Sequence, residues 1–208
     1  MKKVVLVSLS MALCLFFVGC LTSDIDDIAL PLYVEINGVK WATKNLAAPG
    51  IFAERAESAG MFYQWGRRVG WSNTNPLVAS NGSTLWSSFH SEGTEWRVGN
   101  NPCPAGWRLP TSAEQHSLIE AGSVWTTKNR VNGRLFGTPP HQIFLPAAGF
   151  RMSFDGTLRE VSRRGVYWSS TSQSSTIATP VLLGVIDDAT YQAVGDVALG
   201  HSVRCVKE

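Results

Sequence analysis

The alternation of apolar and polar positions is clearest near residue 32. Leu32-Tyr33-Val34-Glu35-Ile36 alternates, Asn37-Gly38 supplies a turn, and Val39-Lys40-Trp41-Ala42-Thr43 returns. Period-two runs on both sides of Asn-Gly predict a β-hairpin. Residues 53–60 carry a pattern for a short helix that stops at Gly60. Met61 to Trp71 holds aromatics at mixed spacing, and residues 72–100, rich in Asn, Ser and Gly without a period, predict a long surface excursion. Pro102, Pro104 and Pro110 each fix φ and remove an amide donor, so no helix or central strand runs through them. A helix over 111–121 follows. Thr111 and Glu114 have the T-x-x-E spacing of a capping box, Leu118 and Ile119 supply an apolar face, and Gly122 ends it. Beyond it, Ile143–Pro146 predicts a buried strand closed by proline. Phe150–Phe154, Val166–Ser170, Ile177–Ile186, Thr190–Val194 and Ser202–Val206 are further strand candidates. One or two short helices, with strands dominating the second half, predict an α+β fold built on antiparallel sheet.

The start of the chain belongs to a different class of pattern. Lys2 and Lys3 precede an apolar run from Val4 to Val18, shorter than the about 20 residues a membrane-spanning helix needs. A basic start, a short apolar stretch and small residues at its end describe a secretory signal. Val18-Gly19-Cys20 resembles a bacterial lipobox, which implies cleavage before Cys20 and lipid attachment to it; Phe17 stands where leucine is usual. The acidic stretch Asp24-Ile25-Asp26-Asp27 resembles export signals of surface lipoproteins in Bacteroidetes, and as bare chemistry it is a solvated linker. The expected organisation is a signal over 1–19, a lipidated tether over 20–31 and one domain over 32–208. Such a domain is held at the outer membrane by its anchor and does not span it.

Removing residues 1–19 leaves 189, enough for one domain. The formal charge of +2 comes from Lys2 and Lys3, so the remaining chain balances 16 basic against 16 acidic side chains. That neutrality leaves no electrostatic footprint for nucleic acid. All eight tryptophans lie after the signal, and core packing is the expected use of most. Cys103 and Cys205 are the thiols left besides Cys14 and Cys20. In an oxidising compartment they favour a disulfide; free thiols are the alternative in a reducing one. A bridge would close a loop of about 100 residues, for which chain entropy gives about 4–5 kcal/mol.

Several words of the chain recur together elsewhere. NPCPAGWRLPTSAE (Asn101–Glu114), FLPAAGFR (Phe144–Arg151), GVYWSSTS (Gly165–Ser172) and SVRCVKE (Ser202–Glu208), with WATKNL (Trp41–Leu46) and FYQWGRR (Phe62–Arg68), resemble the Fibrobacter succinogenes major paralogous domain over roughly residues 35–208. The resemblance implies a secreted or surface protein with a fold related to C-type lectins and formylglycine-generating enzymes, and a role in adhesion or ligand binding. The related enzymes also carry RLPT before a helix and a terminal arginine–cysteine pair, here Arg108–Thr111 and Arg204-Cys205. They need two neighbouring cysteines for copper, and this half of the chain has only Cys205, so the resemblance implies the fold without the chemistry.

Candidate chemistry is sparse. His90, His116, His141 and His201 form no metal-ligating spacing, and neither a G-x-S-x-G elbow nor a Walker-type loop occurs. Asp187-Asp188 could contribute to calcium binding, with a solvated hairpin tip as the plainer use. The Glu-Pro-Asn and Trp-Asn-Asp words of calcium-dependent lectins are missing, and Asn81-Gly82-Ser83 reads as a turn. No cofactor is expected. Recognition is expected in residues 172–200, between two framework words, where the related folds expose loops; Ser172, Gln173, Ser174, Asp187, Asp188 and Tyr191 are the candidates. A strand pair on the core would equally explain Val181 to Ile186. Trp71, Trp86 and Trp96 are candidate sugar platforms, with packing as the competing use. The expected partner is a glycan or a protein at the cell surface; a structural part in a surface assembly is the alternative, and an enzyme the least favoured.

Overall fold

The computed structural model describes residues 31–88, 93–175 and 178–208. The apolar start, Cys20, the acidic tether and His90 lie outside the described residues, as does Ile177. The predicted hairpin is present: β1 (Tyr33–Ile36) pairs with β2 (Val39–Ala42) with Ile36 opposite Val39. Asn37 and Gly38 both have positive φ, 49° and 78°, the requirement of a two-residue turn that matches strand twist. The alternation puts Ile36 and Trp41 in the core and leaves Glu35 and Lys40 exposed.

Three sheets of three or more strands organise the domain, each assembled around the neighbours its side chains can bury. The largest has the order β15 (Thr190–Val194), β14 (Pro180–Val185), β13 (Gly165–Ser172), β16 (His201–Ser202), β5 (Phe62–Tyr63), β6 (Gly70–Trp71). Its pairs are antiparallel except β13 with β16, which runs parallel. A second sheet has the order β1, β2, β17 (Val206–Lys207), β7 (Trp107–Arg108). The third runs β10 (His141–Pro146), β9 (Val131–Thr138), β8 (Ser123–Lys128). Two-stranded ribbons, β3 (Leu46–Ala48) with β4 (Ile51–Phe52) and β11 (Phe150–Arg151) with β12 (Leu158–Arg159), complete it. One α-helix, α1 (Ser112–Glu120), occurs among the described residues, so the fold is mostly β with antiparallel sheets, within the expected α+β class.

Two apolar cores lie on opposite faces of β13. Val166 and Trp168 enter one, with Trp65, Trp96, Trp107, Leu182 and the cysteine pair. Tyr167 enters the other, with Leu118, Phe136, Ile143, Leu145, Leu183 and Val185. A strand buried on both faces loses alternation, and β14 reads PVLLGV with all six residues buried. Six of the eight tryptophans are buried, which settles most of them as core.

The capping box forms at Thr111. Its Oγ1 accepts from the Glu114 amide at 3.2 Å, and Glu114 Oε2 accepts from the Thr111 amide at 2.7 Å. Glu114 also receives two bonds from Arg108, at 2.8 and 2.6 Å. The expected helix over 53–60 is absent; turns and bends occupy the segment. Long-range partners take its backbone instead: Ala53 N donates to Asn45 O, and Asn45 Nδ2 donates to Ala59 O. Eight residues are too few for helical bonds alone to compete. The hairpin β8–β9 lies in a stretch for which no strand is predicted, and its turn is Asn129-Arg130, both at positive φ without glycine. Asn129 Nδ2 donates to Glu57 Oε1 at 2.8 Å, a distant tie that helps hold the turn.

Cys103 and Cys205 are joined in a disulfide. Beside it, Arg204 is fully buried. Its guanidinium donates to Asn45 Oδ1 at 2.9 Å, Ala42 O at 3.0 Å and Phe144 O at 2.9 Å, joining three separate stretches of chain. Burial lowers its pKa to about 10, so it is charged at neutral pH.

Replacing both bridging cysteines by alanine is expected to remove about 2–5 kcal/mol, since 102 residues separate them. Urea unfolding of the two forms measures it, and matching midpoints would show that the bridge clamps nothing. Arg204→Leu leaves three buried acceptors without their partner, with an expected loss of about 3–5 kcal/mol in the same measurement.

Candidate functional site

The strands β13, β14 and β15 meet the start of α1 at a shallow recess of about 200 Å³, lined by Ser112, Thr171, Gln173, Val181, Gln192 and Ala193. Its geometry follows from local bonding. The ladder between β13 and β14 slips between Trp168 and Ser172. Within the slip, Ser170 N donates to Pro110 O at 2.8 Å, and Thr171 Oγ1 accepts from Ser112 N at 2.9 Å. The first turn of the helix is thereby docked on the end of the strand. From the other side, Gln192 Nε2 donates to Ser112 O at 2.7 Å. Ser112 is thus held through both backbone groups by the two walls of the recess.

Ser172 organises the adjoining loop. Its hydroxyl accepts from Thr179 N at 3.0 Å and donates to Ser174 O at 3.1 Å, while Gln173 N donates to Thr179 O at 2.9 Å. Asx- and Ser-type local bonds of this kind fix loop backbone that no ladder holds. Of the candidates, Gln173 lines the recess and Ser172 and Ser174 shape the loop beside it. Tyr191 precedes Gln192 and lies over Gly184, where a Cβ would come within 2.2 Å of the ring. Asp187 and Asp188 sit elsewhere, exposed at the β14–β15 tip, with Asp187 O accepting from Arg134 Nη2 at 3.0 Å.

The three tryptophans are used for packing. Trp71 is 4 % exposed and its ring centre lies 4.9 Å from that of Trp86. Trp86, half-buried, donates from Nε1 to Ser153 O at 3.0 Å and packs on Gly156. Trp96 meets Trp65 edge-on at 5.8 Å and donates to Asn100 O. Of the two uses the sequence leaves open, packing is the one on display for Trp71 and Trp96, because a stacking platform needs an open ring face.

Ser112 and Thr171 lie outside the 172–200 region in which recognition is expected, whereas Val181, Gln192 and Ala193 lie inside it without being among its named candidates. Ser112 and Thr171 sit inside words read as framework. Gln192 follows a visible signal, the alternation of Thr190-Tyr191-Gln192, but its partner on α1 is 80 residues away. Among the described residues no ionisable side chain lines the recess. A second, more open groove of about 480 Å³ lies between the β3–β4 ribbon, the 53–61 turns and Ser72–Asn73, with Glu54 as its ionisable lining group. Among the described residues no three His, Cys, Asp or Glu side chains cluster as metal ligands, and no helix is long and apolar enough to cross a membrane.

No family model matches the chain, and no curated protein or solved structure does either.

A buried histidine lies away from the recess. His201, on β16, is 2 % exposed and packs on Trp168 at 4.3 Å and Phe150 at 5.8 Å between ring centres. Neither ring nitrogen makes a hydrogen bond of good geometry to the described residues. Burial is the main cause that pushes its pKa down to about 3; the Gly200 backbone works weakly against this and the Arg164 charge adds to it. The unfolded chain, with histidine near 6.5, therefore binds the proton first. Stability is complete above pH 6.5 and falls as pH drops towards 3, by about 1.4 kcal/mol per unit once the unfolded histidine is fully protonated. The expected outcome is a falling urea midpoint between pH 6 and 4.5, a range above most carboxylates, that His201→Phe flattens. An equal slope in both proteins would place the proton uptake elsewhere.

Proposed function

We propose that this chain is a surface lipoprotein of the outer membrane. A lipid on Cys20 anchors it, and its lectin-like domain, of the Fibrobacter succinogenes major paralogous type, binds a glycan or protein ligand through the 172–200 region. The six sequence words support the family, and the joined Cys103–Cys205 pair suits an oxidising compartment. The observation that carries the binding role is the recess. A two-core frame brings hydroxyl, amide and small apolar side chains from four elements to one concavity, where Gln173, Val181, Gln192 and Ala193 of that region meet Ser112 and Thr171. We read the domain as a binder and not as an oxygen-activating enzyme, because a cysteine held in a disulfide has no thiolate to give a copper ion. The frame is also suited to the role: lining groups whose backbone is already hydrogen-bonded, as at Ser112 and Gln173, have less order to lose on binding.

Two measurements test this. The full chain expressed in a Gram-negative host should incorporate labelled fatty acid and fractionate with the outer membrane, and Cys20→Ala should abolish both. The folded domain should then retain ligand on a glycan array or in a cell-surface pull-down. Label that persists in the cysteine variant would sink the anchor, and a stoichiometric membrane complex with no separable ligand would favour a structural assembly role instead.

A further inference from the structure

We propose that the recess beside α1 takes one uncharged, polyhydroxylated ring, such as the terminal pyranose of a glycan, without a metal ion, and that Gln173 and Gln192 read it. This rests on the ligand-binding reading above and narrows it to one chemical class.

The lining decides the charge of the ligand. Ser112, Thr171, Gln173, Val181, Gln192 and Ala193 include neither cation nor carboxylate. An ionised ligand would leave water without a counter-charge, at a cost of several kcal/mol. A metal-bridged sugar would need carboxylate or carbonyl ligands facing the cavity, and no carboxylate of the described residues lines it. What the lining offers is neutral hydrogen bonding. Gln192 Nε2 is held by Ser112 O, which fixes the amide plane and leaves Oε1 as an oriented acceptor with no partner among the described residues. Thr171 Oγ1 accepts from Ser112 N, so its own hydrogen remains to donate. The Gln173 side chain makes no hydrogen bond to the described residues, whereas its backbone amide is fixed by Thr179 O. Paired donors and acceptors of this kind match adjacent ring hydroxyls, and Val181 and Ala193 supply the apolar contact that a ring's C–H face needs.

Size sets the number of rings. About 200 Å³ is below the roughly 300–1,000 Å³ of pockets that enclose a drug-sized molecule, so one ring enters and the rest of a chain stays outside. A single ring of about a dozen heavy atoms at modest efficiency binds in the millimolar range, and useful strength comes from many copies of the protein on one surface.

The test uses the folded protein and saturation-transfer NMR with methyl glycosides of glucose, galactose, mannose, fucose and N-acetylglucosamine, beside those of glucuronic and sialic acid. We expect at least one neutral glycoside to bind with a millimolar Kd that EDTA leaves unchanged. Gln173→Ala and Gln192→Ala should each weaken it about tenfold, the loss of roughly one to two hydrogen bonds. Gln173→Ala touches no structural bond, so its melting temperature should match the parent and separates recognition from folding. Preference for the acidic sugars, loss of binding in EDTA, or full affinity in the folded Gln173→Ala protein would each overturn the proposal. A glycan or protein ligand held at full strength by both variants would overturn it while leaving the ligand-binding reading intact. A parent protein that binds nothing on the array, in the pull-down or in this panel would remove both.

Discussion

The fold depends on one short stretch, His201 to Lys207, in which residues 201–206 are all buried. Its first two residues pair with Phe62–Tyr63 and with Tyr167 in the six-stranded sheet. Val206 and Lys207 then pair with Trp41 and with Trp107–Arg108 in the four-stranded one. Between the two strands sit Arg204, hydrogen-bonded to three neutral acceptors, and Cys205, bonded to the proline loop. Two sheets therefore share a hinge of two side chains. An arginine with only neutral partners is a costly tenant of a core, and its planar fork of five donors reaches three acceptors on two chain segments at once. A hydrophobic residue would fill the space and leave Ala42 O and Phe144 O without their donor.

The recess inherits its rigidity from this junction. β13 lies beside β16 and between the two cores, so its far end at Thr171 is fixed before any loop contributes. The helix is fixed by Glu114, which serves the capping box and Arg108 together. Burial alone would raise the Glu114 pKa, yet the bonds from Arg108 and Thr111 prevail and hold it below the usual carboxylate value. The carboxylate is thus consumed in the frame, and the cavity next to it is walled by uncharged groups.

What could be read from the sequence was local. Asn37-Gly38, the Thr111–Glu114 box and the Thr190–Val194 strand candidate each carry their instruction within a few residues, and each element appears where its pattern places it. The disulfide was legible because two thiols remained to pair. The failures are where distant partners decide. Asn129-Arg130 makes a turn without glycine, held in part by Glu57 from elsewhere in the chain. Residues 53–60 give up a helix because Asn45 claims their backbone. For Trp71 and Trp96 the sequence leaves packing and an open platform both possible, and the fold decides for packing. Of the recess, Gln173 was within reach of sequence reasoning; its opposite wall was not, since Ser112 and Gln192 meet only after the sheets have formed.

The stretch 201–207 also sets a schedule. Its strand partners lie at residues 41, 62–63, 107–108 and 167, all made earlier by the ribosome. Contacts of such long sequence separation carry a large loop-closure cost and form late. Neither sheet can be completed while the chain is still growing towards residue 201, so the nascent protein has no finished native state to be trapped in. The Cys103–Cys205 bridge is under the same constraint, since its second sulfur arrives 102 residues after the first.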